Sequence, residues 1–94
     1  MHTRVVRFTG VTQERIDALT KRVQEAGGPP DGVVSSGIEL LFDGSQGTAV
    51  VLQRFASASD MEASARVFEA MDVSDTPGTR ASVDACEVKL QLSN

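Results

Sequence analysis

The densest apolar stretch, Thr48–Phe55, is a β-branched run bounded by Gly47 and by serines, and it predicts a buried strand. Just beyond it, Ser59-Asp60-Met61-Glu62 has the form of a capping box, in which serine and glutamate satisfy helix donors reciprocally. Met61, Ala65 and Phe68 then recur at helical spacing, with Met71 on the shoulder of the stripe. Near the start of the chain, Thr3–Thr9 is strand-like and stops at Gly10. Its two faces read Arg4, Val6, Phe8 and Thr3, Val5, Arg7, so each mixes apolar with basic side chains.

Thr12 is the expected N-cap of a first helix, with Val11 and Ile16 as its hydrophobic staple. Ile16, Leu19, Val23 and Ala26 form its apolar stripe, and Gly27-Gly28-Pro29-Pro30 ends it. Gly32–Phe42 is expected to be a strand interrupted at Ser35-Ser36-Gly37, and the turn residues Asp43–Gly47 join it to Thr48–Phe55 as a hairpin. The last strand is expected over Arg80–Leu92. Its apolar positions change phase, which predicts a bulge near Ala85-Cys86 or a tail that leaves the sheet.

The order β-α-β-β-α-β predicts one domain over residues 1–94, of the ferredoxin-like α+β class. Right-handed crossovers place the first and third strands in the centre of a four-stranded antiparallel sheet, with both helices on one face. Val5-Val6, Val33-Val34, Leu40-Leu41 and Val50-Val51-Leu52 put apolar side chains on both faces. Two helices cover one face only, so a second copy of the chain is the expected cover for the other.

Composition narrows the partners. The net charge of −4 comes without a Lys/Arg cluster, which argues against nucleic acid and anionic membrane surfaces. The absence of Trp and Tyr removes the usual stacking platforms for bases. One cysteine forms no internal disulfide, no apolar run is long enough to span a bilayer, and nothing resembles a signal peptide. The expected location is therefore cytoplasmic.

Val-Val-Arg-Phe-Thr-Gly near the start, Gly-Thr-Ala-Val-Val-Leu-Gln-Arg-Phe, Ala-Ser-Ala-Ser-Asp-Met-Glu and Phe-Glu-Ala-Met-Asp together resemble the dimeric α+β barrel superfamily. More narrowly, they resemble its antibiotic-biosynthesis-monooxygenase-like members. The resemblance implies sheet-to-sheet dimers with a small cavity between each sheet and its helices. It also implies functions from cofactor-free oxygenation to haem degradation, isomerisation and no known activity. The Asn, Trp and Arg set of the oxygenases does not carry over, because this chain has no Trp and its only Asn is Asn94. Nor does the haem-degrading set, since the sole histidine is His2.

Among candidate groups, His2 has no second ligand at metal spacing, and Cys86 has no activating base nearby in sequence. Asp72 and Asp75 fall short of a calcium loop. Arg7 and Arg54, on the central strands, are the candidate catalytic residues. They either clamp an anionic ligand or pair with Glu39, Asp84 or Glu87 at the subunit interface, and the interface pairing is favoured because buried arginines are usually paired. Phe8, Leu19, Leu52, Met61 and Phe68 are the expected lining of an apolar ligand cavity. No cofactor or metal is expected. The expected function is a homodimeric protein that binds a small apolar molecule or serves as an accessory protein without catalysis. The alternative is a cofactor-independent monooxygenase or isomerase acting on an aromatic or polyketide-like small molecule.

Overall fold

The computed structural model describes residues 1–28, 32–69 and 76–93. The elements run β1 (His2–Thr9), α1 (Gln13–Ala26), β2 (Gly37–Asp43), β3 (Thr48–Phe55), α2 (Ala58–Glu69) and β4 (Thr79–Glu87). They form one antiparallel sheet in the order β2-β3-β1-β4, which is the ferredoxin-like α+β arrangement. The central strands are the first and third, as the crossover argument requires.

Register assigns the faces. Arg4, Val6 and Phe8 of β1 sit beside Gln53, Val51 and Ala49 of β3, and this row carries the buried side chains that meet the helices. One cluster joins Val6, Phe8 and Ala49 to Val11 and Ile16 at the start of α1. A second joins Phe55 to Met61 of α2 and to Val33. The alternate row, with Val5, Arg7, Val50, Leu52 and Arg54, lies on the opposite face, which no helix covers.

Local chemistry sets the element ends. Thr12 Oγ1 accepts from Arg15 N at 3.2 Å, and Val11 and Ile16 share a cluster, so the cap and staple of α1 form together. Gly27 closes the helix in the left-handed region at φ 68°, a conformation that glycine adopts without Cβ strain. In the β2–β3 turn, Asp43 Oδ1 accepts from Ser45 N at 3.1 Å and Ser45 Oγ at 2.7 Å.

Three boundaries differ from the sequence expectation. The N-cap of α2 is Ser57 rather than Ser59: Ser57 Oγ accepts from Asp60 N at 3.2 Å, and the Ser57 carbonyl accepts from Met61 N at 3.2 Å. Phe55 is wholly buried, so the chain turns immediately after it and the first serine is the one at the turn. β2 begins at Gly37, not Gly32. Ser35 Oγ accepts from Gly37 N at 3.2 Å, and Ser36 N donates to the Arg54 carbonyl at 2.8 Å, so pairing starts only beyond this serine turn. β4 ends at Glu87, and its register shift lies opposite Arg7/Phe8 rather than near Ala85-Cys86. The apolar phase change belongs to a tail that leaves the sheet after Val88 N donates to the Met1 carbonyl at 3.0 Å. Leu90 and Leu92 on that tail are 76% and 81% exposed.

Among the described residues, no helix is long and apolar enough to cross a membrane.

Candidate functional site

Helix cover over the sheet is incomplete. Every residue of β4 is exposed, and Ile38 of β2 is exposed on the same face. Between the two apolar clusters this leaves a cleft of about 1060 Å³. Its walls come from β1 and β3 below, α1 on one side, the end of α2 on the other, and the Thr76–Gly78 segment at the rim. Arg15 Nη2 anchors that rim to α1 by donating to the Thr76 carbonyl at 2.9 Å. Gly78 packs so tightly that a Cβ there would run into the Thr9 carbonyl oxygen.

Phe8, Leu19 and Phe68 line the cleft. Met61 lies instead beneath α2, in the cluster with Val33 and Phe55, and Leu52 alternates onto the uncovered face. Arg7 and Arg54 are on that uncovered face too. Arg54 Nη2 donates to Glu39 Oε1 at 2.6 Å within the same chain, whereas the expected pairing was across a subunit interface. Arg7 lines a separate hollow of about 250 Å³ with Leu41, Asp43, Gln46 and Val50. Among the described residues Arg7 has no ion-pair partner. Cys86 is exposed on β4, and the acidic segment around Asp72 and Asp75 lies outside the described residues, as does Met71. No three His, Cys, Asp or Glu side chains come together as a ligand set among the described residues.

The polar residues of the cleft are ones the sequence reading passed over. Arg4 is only 7% exposed, although it carries a charge. Its Nη1 donates to Gln53 Oε1 at 3.3 Å, and its guanidinium carbon stands 4.7 Å from the centroid of the Phe68 ring. Strand register places Arg4 and Gln53 side by side, and α2 brings Phe68 over them one residue before the helix ends. Burial, and then the positive charge of Arg80, hold the Arg4 pKa below its ordinary value; Glu69 works in the opposite direction. Arg22 and Arg80 also line the cleft, with Glu69 as its described acidic residue. Three arginines against one glutamate make the described lining +2 in a chain whose net charge is −4.

The signal for this site was present in the alternation Arg4, Val6, Phe8, where a cation occupies an otherwise apolar row. Deciding which of the two faces would receive the helices required the fold.

Chemically, the arrangement is a largely apolar trough with a guanidinium fork at one point on its floor. Such a site holds an amphipathic small molecule and favours negative charge beside the fork. No protein-family model, curated protein or solved structure matches this chain.

Proposed function

We propose that this chain works as a homodimeric α+β barrel protein, akin to the antibiotic-biosynthesis-monooxygenase-like group, that binds a small apolar-bodied molecule as a carrier or accessory protein. The cleft carries this reading. Its volume of about 1060 Å³ is just above the roughly 300–1000 Å³ usual for ligand sites, and Phe8, Leu19 and Phe68 contribute apolar lining. The dimer half of the reading rests on the uncovered face, where Val5, Val50 and Leu52 are half-buried and Leu41 is exposed, with Arg54 and Glu39 at the margin. A second copy docked there by two-fold symmetry covers this patch on both chains at once.

Light scattering at micromolar concentration is expected to give twice the 10.0 kDa of one chain. Because the chain has neither Trp nor Tyr, the fluorescence of 2-naphthylmethanol reports binding with little protein background. A stable monomer removes the dimer, and failure of the naphthyl alcohol, 1-decanol and the corresponding carboxylates all to bind in calorimetry removes the ligand cleft.

A second reading, a cofactor-independent monooxygenase or isomerase, draws on one observation: a buried guanidinium in an apolar cleft can stabilise an enolate as it forms. Oxygen uptake or isomer formation with quinol-type and polyketide-like substrates tests it, and turnover unchanged in Arg4→Met would exclude Arg4 from that role.

A further inference from the structure

We infer that the molecule held in this cleft is a monocarboxylate with an apolar body, its carboxylate seated on Arg4 and Gln53 with Arg80 adding positive potential. The inference rests on the ligand-binding reading above and specifies the charged end of the ligand.

Two polar side chains, Arg4 and Gln53, are each only 7% exposed on the cleft floor. They share one hydrogen bond of 3.3 Å, which uses one donor of Arg4 and the amide oxygen of Gln53. No fully buried side-chain nitrogen or oxygen among the described residues lacks a partner. The guanidinium donors of Arg4 and the amide NH2 of Gln53 that make no such bond therefore keep some exposure, and both residues line the cleft. A guanidinium taken out of water is normally neutralised by a carboxylate. Among the described residues Arg4 has no such ion pair. Phe68 holds one face of the guanidinium, so its in-plane fork is the edge left for a ligand, and that fork matches the two oxygens of a carboxylate. Apart from Arg22, Glu69, Arg80, Ser35 and Ser36, the trough is largely apolar, which suits an acyl chain or an aryl ring equally.

The test is calorimetric titration of the full chain at pH 7 with two acid–alcohol pairs, decanoate with 1-decanol and 2-naphthoate with 2-naphthylmethanol. The preferred acid is expected to bind about tenfold or more tightly than its alcohol, as a charge-assisted bidentate contact in an apolar site implies. Which pair shows the preference distinguishes an acyl from an aryl ligand. Arg4→Met is expected to erase the preference by weakening binding of the acid. Equal affinity for acid and alcohol, or a preference that survives Arg4→Met, overturns the inference while the cleft reading stands. Binding by none of the four overturns both. Should Arg4→Met fail to fold, Arg80→Gln on exposed β4 takes its place: a reduced preference, about threefold, is expected, and an unchanged one overturns the carboxylate seat.

Discussion

On the helix-covered face of the sheet, Arg4 lies almost wholly out of water, with a neutral amide and an aromatic ring for company. On the uncovered face of the neighbouring strand, Arg54 is partly solvated and sits 2.6 Å from Glu39. Both occupy central strands in rows of apolar residues, yet their energetics are opposite. Arg54 keeps much of its hydration and gains a carboxylate, an arrangement that costs little and contributes little. Arg4 loses its hydration and, among the described residues, forms no ion pair, Glu69 offsetting its burial only in part, an arrangement that lowers stability unless something else supplies the missing charge. A cation retained at such a cost points to a ligand, whereas a cation paired at a surface points to solubility or an interface. Charge in an apolar row is thus informative only once the face it occupies, and the partner it meets there, are known.

The largest expected effect breaks the covered face itself. Phe55 is fully buried and anchors α2 to β3, so Phe55→Ala is expected to lower stability by about 3–5 kcal/mol in urea titration. A loss under about 1 kcal/mol would show that the α2 cluster carries little of the core.

On the uncovered face, Leu52→Asp is expected to dissociate the proposed dimer, because each chain would then bring an unpaired charge to the proposed symmetric interface, at about 3–5 kcal/mol. Light scattering reads the change in mass, and an unchanged dimer would move the interface elsewhere. The monomer fold should survive, since Leu52 faces away from both helix-side clusters.

The two arginines give the sharpest contrast. In the ligand-free protein, Arg4→Met is expected to raise stability by about 1 kcal/mol or more, as removal of an incompletely compensated buried charge does. Arg54→Met is expected to lower it by less than about 1 kcal/mol, the range of a solvated pair. The folded-state pKa of Arg4 is lowered, so its burial penalty applies at every pH below that alkaline value and vanishes only above the unfolded one. The gain from Arg4→Met should therefore be the same at pH 5 and pH 8. A clear loss on Arg4→Met would mean that its contacts with Phe68 and Gln53 outweigh the burial penalty.

The smallest effect is at the hairpin. Hydrogen bonds from Ser45 and then Gln46 hold the Asp43 pKa below its ordinary 3.8. A carboxylate with a depressed folded pKa contributes stability that is present above the unfolded value and lost as pH falls through the folded one. Asp43→Ala is expected to flatten the acid limb of the stability curve slightly and to leave pH 7 behaviour of the cleft unaltered. An unchanged acid limb would show that the turn is held by its backbone alone.

Much of the architecture was legible in the residues because it depends on local rules. Thr48–Phe55 is a strand at the expected bounds, Thr12 caps α1 and Gly27 ends it, and the order of elements restricts the sheet to β2-β3-β1-β4. The hairpin register brings Arg54 and Glu39 together within one chain, where the residues had suggested a pairing across a subunit interface. The α2 cap was misplaced by two residues because Ser57 and Ser59 are both good caps, and only the burial of Phe55 chooses between them. Leu52 was placed in the cavity although its alternation with Val51 and Gln53 puts it on the other face, a distinction that an unbroken apolar run conceals.

What only the tertiary structure decided is where the helices lie relative to each alternating row. Period two divides β1 into an Arg4 row and an Arg7 row without saying which is covered, because both contain valine and arginine. The choice follows from long-range packing: Phe8 and Val6 join Ile16 and Ala49, and this buries Arg4 and leaves Arg7 outside. The same packing brings Phe68, 64 positions along the chain, within 4.7 Å of the Arg4 guanidinium, a contact no local pattern encodes.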